Sequence, residues 1–573
     1  MQITGAELFV KALEKEKVDV LFAYPGGQAI DLFNALYGQK NIEVVLPRHE
    51  QALVHAADGY ARSTGKVGVC LVTSGPGATN LVTGIATANY DSVPLVCFTG
   101  QVPTSLIGND AFQEVDTIGI TRSISKYAVT VRDRNDLAAI IKKAFYIAKS
   151  GKPGVVVVDL PKDIQQAYGS DEYPEQVEIR GYKPNTAVHS RQIRKAIETL
   201  NSAKKPIFLI GGGVNIAQAQ AELTQLVEKT GVPVVTTIMG KGALPSDHPL
   251  YVGNLGIHGS YAANSAISEC DVLFSICTRF NDRITGKTGE FAKNAKIIHV
   301  DIDPAAISRN IVVDIPIVAD AKNAINALLA KAEKLPIKEW QEQIKQWDRA
   351  YPLVMKGTHL TPQIIIQKIN ETFKEAVITT DVGQNQLWAT QFLELNVHKQ
   401  MLTSGGLGTM GYGFPAALGA KIGNPEKDVI AITGDGGLQM NIQEMATAVV
   451  CELPVIICVM NNGYLGNVRQ WQEMFFNKQY SSTCLRHRKS CPTPCSSPHD
   501  DCPQYTPDFV RLAESYGAQG IRVQKIEEIV PALQQAKKNK TTPTLIEFII
   551  EREENVLPIV PPGSPLSNMI MDC

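Results

Sequence analysis

The sequence predicts an α/β fold made of three doubly wound domains, each with a parallel sheet between layers of helices. Short apolar runs rich in β-branched residues alternate with amphipathic stretches, which is typical of buried parallel strands joined by helices. Several of these runs end in glycine-rich turns, as strands do in parallel α/β architecture. A length of 573 residues leaves room for three or four domains of ordinary size.

The first domain is predicted over residues 1–165. It opens with Thr4 and Glu7 at capping-box spacing, ahead of an amphipathic stretch. Strand-like runs then alternate with helical segments, at 18–23, 67–73, 94–99 and 154–160. Residues from about 165 to 190 lose this periodicity and carry charges, glycines and prolines, which predicts a linker.

The second domain is predicted over residues 190–335 and the third over residues 361–545, with a polar helical stretch at 338–349 between them. The strand-like runs of the second domain are 206–210, 232–237, 271–276 and 297–303. In the third domain the clearest are 428–433 and 454–459. Residues 546–573 form a proline-rich tail.

The charge balance argues against nucleic acid or a membrane surface as a partner. The chain has 55 basic and 57 acidic residues, and it lacks the ~18-residue apolar run of a membrane span. The N-terminus shows no signal-peptide pattern, so we expect a cytoplasmic protein. The 11 cysteines are too few in a chain of this length for a disulfide scaffold.

Two polar motifs of the third domain predict a cation site. Asp435 lies in a Gly-Asp-Gly tripeptide after the run 428–433, and Asn462 ends an Asn-Asn pair after the run 454–459. The carboxyl ends of parallel strands share one sheet edge, where ligands bind in open α/β sheets. Hard oxygen ligands there suit Mg²⁺ and a phosphorylated cofactor. The alternative is a pair of ordinary turns.

Two further segments carry candidate chemistry. Glu50 is predicted to lie at a strand-to-helix junction, where a carboxylate is also favoured simply by the helix dipole. The segment 404–416 contains five glycines, so it cannot be an ordinary strand or helix. Met410 within it could be core filler.

Taken together in chain order, the motifs resemble those of thiamine diphosphate (ThDP) enzymes, and more closely those of the catalytic subunits of acetohydroxyacid synthase, also called acetolactate synthase. The resemblance covers nearly the whole chain apart from residues 484–502. The motifs are Tyr24-Pro-Gly-Gly, Arg48-His-Glu-Gln, Thr73-Ser-Gly-Pro-Gly-Ala-Thr-Asn, Gly100-Gln-Val-Pro, Asp110-Ala-Phe-Gln-Glu, Arg279-Phe-Asn-Asp-Arg, Gly405-Gly-Leu-Gly-Thr-Met-Gly and Arg469-Gln-Trp-Gln.

The resemblance implies a pyrimidine-binding first domain, a central Rossmann-like FAD-binding domain and a third domain that binds diphosphate and Mg²⁺. By it, Glu50 is the general acid/base beside the cofactor's aminopyrimidine, and Met410 props the cofactor in its bent shape. The implied Mg²⁺ ligands are Asp435, Asn462 and the backbone carbonyl of Tyr464. The glycines expected beside ThDP are Gly26, Gly27, Gly408, Gly434 and Gly436.

The implied reaction is a carboligation, in which pyruvate is decarboxylated and joined to a second pyruvate or to 2-ketobutyrate. By resemblance, Arg283 grips the carboxylate of the second acid, Trp471 favours 2-ketobutyrate, and Gln113 contacts the reacting intermediate. On residue type alone, a surface ion pair and a core aromatic remain open for Arg283 and Trp471. Another ThDP-dependent decarboxylase or carboligase, and a FAD-binding module without catalysis, are the competing functions.

The FAD site implied by the resemblance departs from the family at two positions. Lys152 stands where an arginine is usual, and it keeps the charge but not the planar fork. Asn281 stands where an aspartate is usual. The other residues expected at the FAD site are Gly211, Gly212, Gly256, His258, Arg279 and Asp301.

Four cysteines concentrated in one polar segment predict either a zinc or iron–sulfur site or ordinary thiols and disulfides. They are Cys484, Cys491, Cys495 and Cys502, with His487 and His499 among them. The resemblance also implies a homodimer or homotetramer, because ThDP lies between the first domain of one chain and the third domain of another. A small regulatory subunit is a further implied partner.

Overall fold

The computed structural model describes residues 1–353, 359–396, 398–492, 495 and 502–572. It contains three six-stranded parallel sheets and one small antiparallel pair of strands. The predicted α/β class with three doubly wound sheets is therefore confirmed. Among the helices of these ranges, none has the length and apolar character that a membrane span requires.

Helices cover both faces of the first sheet. A glycine-containing turn follows the strand Val20–Ala23. In spatial order its strands are Glu43–Val45, Val20–Ala23, Gly68–Val72, Leu95–Gln101, Val155–Pro161 and Tyr127–Thr130. Its helices are Gly5–Lys15, Ile30–Leu36, Glu50–Thr64, Pro76–Asn80, Val82–Tyr90, Thr117–Thr121, Leu137–Lys149 and Lys162–Gln166.

The middle sheet has the strand order 3-2-1-4-5-6 when its strands are counted along the chain, which is the order of dinucleotide-binding α/β domains. In space they are Tyr251–Asn254, Val234–Thr236, Pro206–Ile210, Val272–Ile276, Lys296–Asp301 and Ile315–Val318. The accompanying helices are Ser190–Asn201, Gly213–Ile216, Gln220–Thr230, Tyr261–Glu269, Asp282–Thr285, Ala321–Leu329 and Lys338–Ala350.

The third sheet repeats the strand order of the first, 2-1-3-4-6-5 when each is counted along the chain. Its strands are Gln400–Thr403, Ala376–Thr380, Asp428–Gly434, Val455–Asn461, Thr544–Ile549 and Gln519–Val523. Its helices are Pro362–Thr372, Gln384–Phe392, Gly413–Gly423, Asp435–Met440, Met445–Val450, Gly466–Phe475, Phe509–Ser515 and Ile529–Lys538.

Segments expected to be a linker and a tail pack against the domains. Tyr168–Ser170 pairs with Gln2–Thr4, so the first unit extends past residue 165. Strand Thr544–Ile549 crosses the expected start of the tail. Farther on, Val560 and Leu566 enter the core of the middle unit because they are apolar and its surface offers them burial.

The first and third units are joined by two helices that pack at very close range. A Cβ atom on Gly59, in helix Glu50–Thr64, would lie 2.0 Å from the carbonyl oxygen of Ala416. A Cβ on Gly419, in helix Gly413–Gly423, would lie 1.7 Å from the carbonyl oxygen of Ala56. Only glycine permits this approach, so both positions fix how the two units dock.

Replacing Gly419 by alanine should destabilise the protein, because the added methyl group overlaps backbone that cannot move alone. We expect a loss of about 1–3 kcal/mol or more in the free energy of unfolding, the usual cost of overpacking. Urea unfolding measures it. The matched control is Gly289→Ala, where a Cβ meets no atom within 4 Å; equal stability of the two variants would contradict the packing argument.

Candidate active site

A pocket opens at the carboxyl edge of the third sheet, at the point where the strand order reverses. It encloses about 540 Å³ of space, part of it open to solvent. Ligands bind at such switch points in open α/β sheets. Six residues predicted from sequence line this one pocket, which are Met410, Gly434, Asp435, Gly436, Asn462 and Tyr464.

The two polar motifs come together as their strand positions predict. Strands Asp428–Gly434 and Val455–Asn461 are parallel neighbours that end level with each other. The Asp435 carboxylate accepts a hydrogen bond from the backbone N–H of Gly463 at 3.1 Å. The side-chain oxygen of Asn462 accepts one from the backbone N–H of Tyr464 at 3.0 Å. The Asp435 carboxylate and the Asn462–Tyr464 turn thus follow neighbouring strand ends at one sheet edge.

Burial of Asp435 changes its ionisation. The residue is almost fully buried, and desolvation raises the pKa of its carboxyl to about 7, against opposing backbone hydrogen bonds. A divalent cation would reverse this effect by stabilising the carboxylate. No three His, Cys, Asp or Glu side chains form a metal-ligand group in the described ranges, so a cation here would rely on the mixed oxygen set around Asp435.

Unpaired polar atoms in the pocket fit a polar ligand. The indole N–H of Trp388 and the side-chain oxygen of Asn467 are buried without a hydrogen-bond partner, and both residues line the pocket. Buried polar groups are normally paired. Gly408 has a positive φ of 72° and an open Cβ direction on the segment that carries half-buried Met410. The Trp388 N–H donor, the Asn467 oxygen acceptor and the open space beside Gly408 fit a phosphorylated, heteroaromatic cofactor such as ThDP.

Glu50 lies outside this pocket, on the first unit of the same chain. It begins helix Glu50–Thr64 as predicted, and its carboxylate accepts a hydrogen bond from the Asn80 amide at 2.9 Å. Gln113, at a positive φ of 60°, packs against Gly75 in the adjoining turn. Glu50 and Gln113 therefore adjoin the same turn, near Gly77 and Gly75, and neither lines the Asp435 pocket.

The glycines predicted beside the cofactor on the first unit lie at that sheet's own reversal point. A Cβ on Gly26 would lie 2.5 Å from Cγ2 of Thr73, whereas Gly27 faces open space. The Gly27 carbonyl accepts a hydrogen bond from Lys162. Gly26 is thus required by close packing against Thr73, whereas Gly27 has open space at its Cβ position.

Arg283 and Trp471 meet although they come from different units. The guanidinium of Arg283 lies 5.7 Å from the centroid of the Trp471 ring, and its side chain is 60% exposed. Trp471 belongs to helix Gly466–Phe475, whose first residue lines the pocket. The pair therefore forms a cationic and aromatic wall, one helical turn or more from the candidate cation ligand Tyr464.

A second cluster forms at the carboxyl edge of the middle sheet. Lys152 forms an ion pair with Asp303 at 3.1 Å, and both Lys152 and Arg279 act electrostatically on Asp301. Burial still raises the pKa of Asp301 to about 6. Arg279 also donates to the carbonyl of Tyr90 at 2.6 Å. Two cations from two units beside the dinucleotide-type switch point suit a diphosphate-bearing ligand.

The glycines of this cluster differ in what they do. Gly211 ends the first strand of the middle sheet, and a Cβ there would lie 1.9 Å from the carbonyl oxygen of Cys277. A Cβ on Gly212 would lie 2.9 Å from Met239. Both glycines are thus required by close packing across the switch point, in addition to any ligand.

His258 follows strand Tyr251–Asn254 of the same sheet and is held neutral. Its Nδ1 donates to the carbonyl of Pro558 in the C-terminal segment at 3.1 Å, and burial lowers its pKa to about 4. Gly256, at a positive φ of 125°, leaves room for the carbonyl of Arg283. Asn281 keeps a buried side-chain oxygen without a partner.

The predicted zinc or iron–sulfur site is not supported by the described residues. Cys484 pairs in a β-bridge with Tyr464 and lies 3.8 Å from the guanidinium of Arg552. The sulfur of Cys491 accepts from the backbone N–H of Arg488 in its own turn. The Arg552 guanidinium also acts on Cys502, and no three His, Cys, Asp or Glu side chains form a ligand group among the described residues. His499 lies outside the described residues.

Sequence reasoning missed several residues of the main pocket. Gln384 donates to Glu554 and Gln470 and accepts from the Asn462 amide at 3.2 Å, and it lines the pocket with Trp388. They follow strand Ala376–Thr380, a run of apolar and threonine residues on the same sheet edge. The turn after that strand, Val382-Gly-Gln, was the available signal.

Family models match each of the three units. Residues 3–120 match the N-terminal TPP binding domain of thiamine pyrophosphate enzymes, residues 193–328 the central domain, and residues 381–548 the C-terminal TPP binding domain. TPP, thiamine pyrophosphate, is another name for ThDP.

Curated relatives match from end to end. A probable acetolactate synthase large subunit of Methanocaldococcus jannaschii is 45% identical, covering 99% of this chain and 95% of the relative. The acetolactate synthase large subunit of Corynebacterium glutamicum is 44% identical over 99% and 90%. The isozyme 3 large subunit of Escherichia coli is 43% identical over 99% and 98%. This chain therefore belongs to the acetolactate synthase large-subunit family of thiamine pyrophosphate enzymes.

Proposed function

We propose that this chain catalyses the joining of two 2-keto acids with ThDP. Pyruvate loses CO₂, and the remaining two-carbon unit is transferred to a second pyruvate or to 2-ketobutyrate. The products are 2-acetolactate and 2-aceto-2-hydroxybutyrate, the first common step of branched-chain amino acid synthesis. The observation that carries this proposal is the contact of Arg283 with Trp471, which lies midway along a helix whose first residue lines the cofactor pocket, because a simple decarboxylase needs no grip on a second acid.

The main pocket would hold the cofactor's diphosphate through Mg²⁺. Asp435, Asn462 and the Tyr464 carbonyl offer the hard oxygens that Mg²⁺ prefers. When bound, ThDP supplies the nucleophilic carbon that attacks the keto group and accepts the electron pair released with CO₂. FAD would occupy the middle unit near Lys152 and Arg279, with Gly256 and His258 along its path.

Glu50 would exchange a proton with the aminopyrimidine of the cofactor. Its position at the start of helix Glu50–Thr64 places it in the positive field of the helix terminus, and Asn80 orients its carboxylate. A carboxylate oriented in this way can accept a proton and return it. Gln113, in the neighbouring turn, is assigned a contact with the reacting groups.

Arg283 would bind the carboxylate of the second acid. Its exposed guanidinium presents a planar fork, and the Trp471 ring beneath it limits its orientation. The same ring would form the wall against which the extra methylene of 2-ketobutyrate packs. Met410 would support the cofactor from the opposite side of the pocket.

The complete site would need a second copy of this chain. Glu50 is absent from the residues that line the Asp435 pocket, although the proposed chemistry requires both beside one cofactor. A homodimer or homotetramer, in which the first unit of one copy covers the third unit of another, supplies both. Because its relatives are described as large subunits, we also propose a small regulatory partner. We further propose a cytoplasmic location.

The deciding experiment is product identification. Purified protein is incubated with pyruvate, ThDP and Mg²⁺, with and without 2-ketobutyrate and FAD, and the products are resolved by mass spectrometry. Acetolactate, joined by acetohydroxybutyrate when 2-ketobutyrate is added, supports the proposal. Acetaldehyde as the main product would indicate a decarboxylase instead.

Replacing Glu50 by glutamine should leave ThDP binding near normal but lower kcat by about a hundredfold or more, the scale of general acid/base removal. The amide keeps the shape of the side chain and loses the exchangeable proton. Acetolactate formation at saturating ThDP measures the effect. Glu43→Gln, an exposed carboxylate on the preceding strand, is the control; similar rates in both variants would remove Glu50 from its role.

Cation binding should depend on pH through Asp435. Because its pKa lies at about 7 without metal, the cation must displace a proton below that pH. The apparent Mg²⁺ affinity in the presence of ThDP should therefore fall by up to about tenfold per pH unit below 7 and level off above it. Calorimetric titration of wild type and Asp435→Asn isolates this contribution. The variant should bind weakly, with a shallower slope; equal slopes would place the cation elsewhere.

Replacing Trp471 by leucine should reduce the preference for 2-ketobutyrate by roughly 10-fold or more, since one methylene in an apolar pocket contributes about 1–3 kcal/mol. Pyruvate self-condensation should change less. Competition between the two acceptors gives the product ratio directly. Trp471→Phe keeps an aromatic wall and serves as the control. An unaltered ratio in the leucine variant would contradict the specificity role.

A further inference from the structure

The turn that leads into Glu50 is held by a buried carboxylate from another unit of the same chain. Both carboxylate oxygens of Glu444 accept from the backbone N–H of Arg48, at 3.0 and 3.1 Å. The backbone N–H of His49 contributes a further hydrogen bond to the same carboxylate. Glu444 itself is fully buried. A third-unit side chain thus binds the two residues immediately before Glu50.

The surroundings of Glu444 fix its side chain as an acceptor. The hydroxyl of Thr447 donates to one of its oxygens at 2.6 Å, which adds a side-chain donor to the backbone donors. Burial raises the pKa of Glu444, whereas these donors and Arg48 favour the charged form. A buried carboxylate with this many donors is costly to replace, because each N–H would otherwise be left unpaired.

The Arg48 and His49 side chains make their own hydrogen bonds within the turn and the helix that follows it. The His49 ring accepts from the N–H of Gln51 as the helix cap, and the Arg48 side chain folds back onto the carbonyl of Leu46 at 2.7 Å. Both contacts are internal to the turn, so they shape it without fixing it to the rest of the molecule. Glu444 supplies an external anchor, one residue from the start of the Glu50 helix.

We propose that Glu444 is a positioning residue for Glu50, holding the turn so that the Glu50 carboxylate meets its proton partner in a productive orientation. This inference rests on the proposed role of Glu50. Proton transfer is sensitive to such placement, since a displacement of about 1 Å can cost on the order of a hundredfold in rate. Glu444 would then act on the reaction without touching the cofactor.

The test combines a cofactor-free measurement with a double-variant cycle. In the protein without ThDP, Glu444→Gln should speed amide hydrogen exchange in peptides covering residues 46–50 about tenfold or more, because an NH₂ donor replaces one of the two acceptor oxygens and the Arg48 and His49 N–H groups share a single uncharged acceptor. With ThDP and Mg²⁺, the same variant should lower kcat and the rate of C2 hydrogen exchange of bound ThDP by about tenfold or more. Its KM for pyruvate and its affinity for ThDP should stay within about twofold.

The cycle separates positioning from general damage. Added to Glu50→Gln, the Glu444→Gln change should cost almost nothing more, because the group that it positions is already gone. Glu444→Asp keeps the charge one methylene short and should give an intermediate loss, and it replaces the glutamine variant if that protein fails to fold. Glu426→Gln, an exposed change of the same charge in the third unit, is the control and should match wild type.

Four results would overturn the inference. Unchanged amide exchange at residues 46–50 would show that the anchor does not hold the turn. Fully additive losses in the double variant would show that Glu444 acts independently of Glu50. A normal Glu50→Gln protein would remove the proposed role of Glu50 and this inference with it, whereas a defective Glu50→Gln beside a normal Glu444→Gln protein overturns this inference alone.

Discussion

The close contact between helices Glu50–Thr64 and Gly413–Gly423 is the constraint on which the rest of the structure depends. At Gly59 and Gly419 the two backbones approach so closely that no side chain fits between them. Helix packing at this range fixes both distance and angle, because each glycine admits the other helix's carbonyl. One of these helices starts at Glu50 and the other follows the glycine-rich segment that carries Met410. The contact that docks the two units therefore also determines where Glu50 and Met410 lie.

Beside that contact, a buried network of charges connects all three units. Arg62 pairs with Asp58 at 2.7 Å and with Asp91 at 3.1 Å, and the Tyr412 hydroxyl donates to Asp58 at 2.6 Å. Arg279, from the middle unit, lies 3.7 Å from Asp91. Buried ion pairs contribute little net stability, but removing one member leaves an uncompensated charge. The network is thus better understood as fixing which surfaces can meet, and it brings the candidate FAD arginine into register with the helices of the ThDP units.

The sequence predicted the parts of the fold that local pattern determines. Fully apolar runs such as Pro206–Ile210 match strands closely, and Asp435 and Asn462 share an edge because parallel strands end level. Short, partly polar edge strands such as Tyr251–Asn254 are too short to show the apolar pattern by which a strand is recognised. Local pattern also could not show where the tail packs or which partners the cysteine thiols meet, since burial and sulfur partners depend on residues far apart in the chain. Glu444 gave no sequence signal, because its partner is a backbone N–H nearly 400 residues away.

The pocket around Asp435 is built from strand ends and from the turns that follow them. Two of its walls are strand ends, which cannot move without disturbing a fully buried sheet. The turn after Asn462 pairs with the start of the cysteine-bearing segment, where the Leu485 N–H donates to the Gly463 carbonyl at 2.9 Å and the Leu465 N–H donates to the Thr483 carbonyl at 2.8 Å. Arg552, from the C-terminal segment, lies 4.8 Å from the Tyr464 ring centroid and also contacts Cys484. Asp435 therefore directly follows a buried strand, whereas the turn at Tyr464 is held in addition by the segment of Cys484 and by Arg552.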